Sequence, residues 1–167
     1  MIYSDETKSM VEGFREVFDV LLEEDQTFID FANLTALYYL TNRVRPCYVG
    51  QSPSLLTTET SQKYYINEIE EYDCPLAVIG TVNQSYFQSM AGVPHNIRYY
   101  KIAEYIYSNF RPLVKWDEFA IWCKKDVYDD YYEALSGIVN SNNGYEYIDC
   151  CGYGIIKLCV FHNNITV

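Results

Sequence analysis

The stretch Pro94 to Lys125, PHNIRYYKIAEYIYSNFRPLVKWDEFAIWCKK, constrains the fold most. Asn96 is a good cap for a helix. Tyr99, Ile102, Ala103, Ile106 and Phe110 recur on one helical face, with Arg98, Lys101, Tyr105 and Ser108 on the other. Arg111-Pro112 stops the helix, because proline has no N–H to continue it. Leu113 to Trp116 and Phe119 to Lys124 then read as two antiparallel strands. Their Asp117-Glu118 connection is not a strong hairpin turn pair, so the register stays open. A one-sided helix running into a hairpin calls for a layered fold, in which the helix buries its face on a sheet.

Upstream, helical and strand patterns alternate. Asp5 to Glu24 predicts a helix with Met10, Phe14, Val17, Phe18, Leu21 and Leu22 on one side. Thr27 to Phe31 is rich in strand formers, and Asn33 can cap a helix from Leu34 to Leu40. Pro46 precedes a second predicted strand, Cys47 to Val49. Thr57 or Thr58 starts a helix that runs to about Tyr72, with Tyr65, Ile66, Ile69 and Tyr72 inward. Leu76 to Ile79 is a continuous apolar run, the pattern of a central parallel strand buried on both faces. Gly80 to His95 reads as a long loop.

This alternation predicts an α/β fold: a three-layer Rossmann-like sandwich, mostly parallel, with the last hairpin as an antiparallel edge. Residues 1–126 form that domain, and 127–167 form a C-terminal extension of uncertain fold. In the extension, Tyr128 to Val139 reads as a helix, with Tyr145 to Cys151 and Ile155 to Phe161 as strands.

At 167 residues the chain is long enough for one domain with a substantial core. The net charge of −11 argues against nucleic acid, which needs a basic surface. No apolar run approaches the ~20 residues of a membrane span, and Met1 to Lys8 is not a signal peptide. The chain as given reads as soluble, and cytoplasmic if free-standing. Its 18 tyrosines suit half-buried helix faces and contact surfaces. The 6 cysteines include no CxxC, and those in predicted strands read as small buried hydrophobes.

No GxGxxG, GxxxxGK[ST] or GxSxG occurs, so no cofactor and no motif-bearing catalytic group is expected. Ligands in open α/β sheets bind beyond the carboxyl ends of the strands. That position gathers Asp30, Asn33, Gln51, Ser52, His95 and Arg98 as a polar cleft, with Arg98 placed to pair with Asp30 or hold an anion. Caps and turns favour these same residue types, which is the competing structural reading. Cys150, Cys151, Cys159 and His162 are weak metal-ligand candidates, since Cys159-x-x-His162 has ligand-like spacing but adjacent cysteines rarely complete a tetrahedron.

Two segments carry a family resemblance. Gln26 to Pro46, QTFIDFANLTALYYLTNRVRP, resembles a run found in bacterial polytopic membrane glycosyltransferases of the GT-C, protein-mannosyltransferase-like type. Pro94 to Cys123 is similar to a run later in their soluble, extracytoplasmic domains, and Gln51-Ser52-Pro53 and Pro75 to Ile79 also fit. The resemblance spans about residues 10–125. It implies the detached C-terminal soluble domain of such a protein, at the extracytoplasmic face of the bacterial membrane. The catalytic acid of that family lies in a membrane-loop region absent here, so no catalytic residue carries over. The implied role is a non-catalytic accessory one, with the membrane-embedded portion of the parent or a glycan acceptor as partner and an exposed tyrosine-rich face. The alternatives are a free-standing small α/β enzyme using the strand-end cleft, and a tyrosine-rich interaction module that forms a homodimer.

Overall fold

The structure, a computed structural model, describes residues 5–48, 56–81, 89–90, 92–140 and 144–148. The chain runs α1 (Asp5–Leu21), β1 (Phe28–Asp30), α2 (Ala36–Leu40), α3 (Glu59–Glu71), β2 (Leu76–Gly80), β3 (Ser89–Met90) and β4 (Val93–Pro94). It continues with α4 (His95–Arg98), α5 (Tyr100–Asn109), β5 (Phe110–Trp116), β6 (Phe119–Lys124), α6 (Tyr128–Ala134), α7 (Ser136–Asn140) and β7 (Tyr145–Tyr147). One five-stranded sheet has the order β1-β2-β6-β5-β7, and β3 and β4 pair separately.

Side-chain alternation along the strands divides the interior in two. Phe28, Leu76, Val78, Phe119, Ile121 and Cys123 point to one face, where Phe14, Val17, Phe18 and Leu21 of α1 meet them. Ile29, Ala77, Ala120 and Trp122 point to the other, against Tyr65 and Ile69 of α3 and Ile102, Ala103 and Ile106 of α5. Helices therefore cover both faces of the sheet. Between Pro112 and Val114 the β5–β6 register shifts, so two residues of β5 face one of β6. The bulge turns both Leu113 and Val114 toward the α1 face. Pro112 sits beside it, beyond the stretch where β7 pairs, where a missing strand N–H costs least.

Local contacts fix the helices. Gly13 lets α1 lie directly on Trp116: a Cβ there would stand 2.4 Å from the indole ring. Arg43 caps the far end of α1, donating to the carbonyls of Phe18 (3.4 Å), Leu22 (3.4 Å), Gln26 (3.3 Å) and Glu23. Thr58 caps α3, and Ser61 returns the bond in a reciprocal box. α6, α7 and β7 belong to the same body, since Leu135, Ile138 and Tyr145 complete the α1-side core.

The sheet is not mostly parallel. Among the described strands only β1 and β2 run parallel, and the other pairings are antiparallel. The apolar run at Leu76 to Ile79 reports burial on two faces, and a central antiparallel strand between helix layers supplies that equally well. The β5–β6 hairpin is also not at the edge: β6 pairs β2 from Leu76↔Cys123 to Gly80↔Phe119, at the sheet centre. The parallel strand expected at Cys47 to Val49 does not form over Cys47–Tyr48, because that backbone is held by a side chain: Tyr48 N–H donates to Glu68 Oε2 at 3.3 Å. The Gly80–His95 loop contains the small β3–β4 ladder, and the single helix expected after Asn96 is broken at Tyr99 into α4 and α5.

Candidate functional site

The strand-end residues assemble from local turn chemistry. Asp30 ends β1, and its Oδ1 accepts the Ala32 N–H at 3.1 Å, with the N–H groups of Asn33 and Leu34 also bonded to the carboxylate. Asn33 takes the left-handed conformation (φ 64°) that asparagine tolerates, which turns the chain sharply toward α2. Tyr38 on α2 then reaches back. Its hydroxyl donates to the Phe28 carbonyl at 2.9 Å and accepts the Asp30 N–H at 3.0 Å. Strand β1 is a sheet edge, and this hydroxyl occupies the outward donor and acceptor that a further strand would use. Asp30 Oδ2 is enclosed with no hydrogen-bond partner. Burial pushes the carboxyl up to about 6, against the opposing pull of the three backbone N–H groups.

His95 is held on the other side of β1. Its Nδ1 lies 3.3 Å from the Phe31 carbonyl, and its ring packs edge-on to Phe31 and against Tyr99. A carbonyl only accepts, so Nδ1 carries the proton of the neutral ring, and Nε2 is a buried acceptor without a partner. Burial holds the imidazole below its ordinary value, and the nearby Arg98 charge adds to this. The ring is thus neutral at physiological pH. Gln62, fully buried on α3, donates from Nε2 to the Arg98 carbonyl at 3.1 Å. Strand alternation puts the Asp30 side chain on the face of Phe28 and Ala32, while Phe31 and His95 belong to the opposite face. Asp30 and His95 each hold a turn or a helix start in place. Gln51 and Ser52 lie outside the described residues, as do the metal candidates Cys150, Cys151, Cys159 and His162.

Other reactive groups are quiet. The Cys74 and Cys123 thiols are pushed up to about 12 by burial, far from the thiolate a nucleophile needs. Among the described residues no group of three or more His, Cys, Asp or Glu side chains is placed to hold a metal ion. No described helix is long and apolar enough to cross a membrane. An open groove of about 600 Å³ lies between α1 and the turn after α2, lined by Arg15, Asp19, Leu22, Thr41, Asn42 and Arg43 among others. Its arginines are already committed: Arg15 Nε donates to the Leu40 carbonyl at 2.9 Å, and Arg43 caps α1.

Large hydrophobic side chains are also exposed: Tyr48 is 86% exposed, Tyr39 84%, Val44 62% and Tyr64 54%. Glu68 on α3 joins two of them. It accepts the Tyr64 hydroxyl at 2.6 Å on Oε1, and the Tyr48 N–H and the Cys47 thiol on Oε2. These donors hold the carboxylate below its usual range, so it is charged at neutral pH. The result is a fixed anion bonded to the exposed Tyr64 phenol and to the backbone of exposed Tyr48. The sequence does not place these tyrosines: Cys47 to Val49 reads as a strand, and tyrosine content carries no position. Compared with known protein families, curated proteins and solved structures, the chain shows no match.

Proposed function

We propose that this chain is a non-catalytic binding module that meets another molecule through the exposed surface around Tyr48, Tyr64 and Glu68. The observation that carries this reading is the Glu68 carboxylate anchored by three donors, among them the exposed Tyr64 hydroxyl and the N–H of exposed Tyr48. Tyrosine gives a large, stiff, amphipathic contact area at low entropic cost, which is why it is enriched at contact surfaces. A preset carboxylate beside such a ring supplies oriented acceptors without reorganisation.

The narrower form of the proposal makes the occupant a glycan and the chain the accessory domain of a membrane glycosyltransferase-like parent. A sugar offers C–H faces to aromatic rings and hydroxyl donors to a carboxylate, which fits this surface. The parent itself is supported by the sequence resemblance of Gln26 to Pro46 and Pro94 to Cys123 alone, and with it the extracytoplasmic location.

The test is binding of the full chain to an immobilised panel of neutral and acidic oligosaccharides, beside a Tyr48→Ser/Tyr64→Ser variant. Binding that the variant loses by tenfold or more, about 1.4 kcal/mol, supports the glycan form. No binding across the panel removes the glycan form. Sedimentation of the free chain then decides the homodimer form, which requires association that the same variant abolishes.

A further inference from the structure

We propose that Asp30 is a proton-operated latch on the turn joining β1 to α2: protonated, the turn stays shut, and ionised, it opens to let water reach Oδ2. This stands apart from the binding face and does not depend on it.

The geometry sets two demands against each other. The carboxylate organises the turn, accepting the N–H groups of Ala32, Asn33 and Leu34. Its second oxygen, Oδ2, is shut away from solvent and has no partner. A charge in that position lacks both water and a counter-ion, so ionisation costs free energy as long as the turn is closed. The titratable side chain that faces it is Tyr38 from α2; Tyr65 of α3 acts on it from the opposite face of the sheet, and burial keeps both phenols neutral through the relevant range. Neither can neutralise an anion. β2 places uncharged Val78 beside Asp30 in the parallel register. His95 and Arg98 act on each other on the far side of β1.

The link is short, with Asn33 in the left-handed region, and the proposed opening is placed there. By linkage, the closed form binds the proton more tightly than the open form, so raising pH through the carboxyl's range shifts the population toward open. The lever arm is Tyr38. Its hydroxyl clasps the outer edge of β1 through the Phe28 carbonyl and the Asp30 N–H, so an open turn also loosens that clasp.

The experiment is hydrogen exchange at the Ala32, Asn33 and Leu34 amides of the full chain, corrected for the intrinsic rate, with carbon-detected titration of the Asp30 carboxyl. The carboxyl is expected to titrate well above an ordinary aspartate. Opening at those amides should then rise with pH, by roughly a hundredfold at most, while Asp30→Asn flattens the rise. A carboxyl that titrates near 4, as a free aspartate does, would overturn the latch. So would exchange that is flat with pH in the wild type, or an Asp30→Asn variant that repeats the wild-type rise. If that variant does not fold, the wild-type titration and exchange decide alone.

Discussion

Gln62 shows how much one side chain can hold in this molecule. It is fully buried, donates to the carbonyls of Leu56 (3.0 Å) and Arg98 (3.1 Å), and accepts the Lys101 N–H at 2.9 Å. One amide thus ties α3 to the α4–α5 junction, where the chain breaks its helix at Tyr99. Gln62→Leu keeps the volume and removes these partners. At about 1–3 kcal/mol per buried group left unpaired, the urea midpoint should fall markedly with the slope unchanged. Asp30 makes a prediction of opposite sign. Its folded pKa, about 6, lies well above that of an ordinary aspartate. The stability it contributes is full below the unfolded value and is lost as pH rises through about 6, a cost of about 3 kcal/mol at neutral pH. Asp30→Asn keeps an acceptor for the Ala32 N–H and removes the charge. Chemical denaturation should find the variant more stable than the wild type at about pH 7.5, with the gap gone near pH 4.

Elements were legible where their signals are local. Thr58 is the cap of α3 because a threonine followed three residues later by Ser61 closes a box within one turn. The inner face of that helix is carried by Tyr65 and Ile69, while Tyr72 at its end turns out to solvent. What the pattern withheld was direction and neighbour. Leu76 to Ile79 declares burial on both faces and nothing about which way the adjacent strand runs. Cys47–Tyr48 has strand composition, yet Glu68, twenty residues away, claims its N–H. Gly13 is another long-range case. In the sequence it is a weak residue inside a helix, costing about 1 kcal/mol against alanine. In the fold it is where Trp116 lies against α1, and its carbonyl accepts the Tyr145 hydroxyl at 2.9 Å. Gly13→Ala should therefore destabilise despite better helix propensity, by about 1–3 kcal/mol, because the indole must move within a packed core. A thermal melt that shows stabilisation would remove the close approach of α1 to β5. Replacing the α3 cap, Thr58→Ala, should cost about 0.5–2 kcal/mol in the same assay.

At the scale of the whole molecule, helices on both faces of a mostly antiparallel sheet put the polar strand ends and the aromatic surface to different uses. Asp30, Asn33 and His95 were singled out by position alone, and position could not say on which side of β1 each would face. The turn at Asn33 and the carbonyl of Phe31 decide that, and both depend on how the strand is seated. The tyrosine face was less legible still, because composition counts tyrosines without placing them. Its assembly needs the loop carrying Tyr48 to cross to α3 and meet Glu68. The proposed contact surface lies there, while Asp30 and His95 hold the chain's own turns. The most direct measurement is amide shift mapping of the full chain during titration with an oligosaccharide retained on the panel. Shifts centred on Tyr48, Tyr64 and Glu68 are the predicted result. Shifts centred on Asp30, His95 and Arg98, with the tyrosine face silent, would contradict the account.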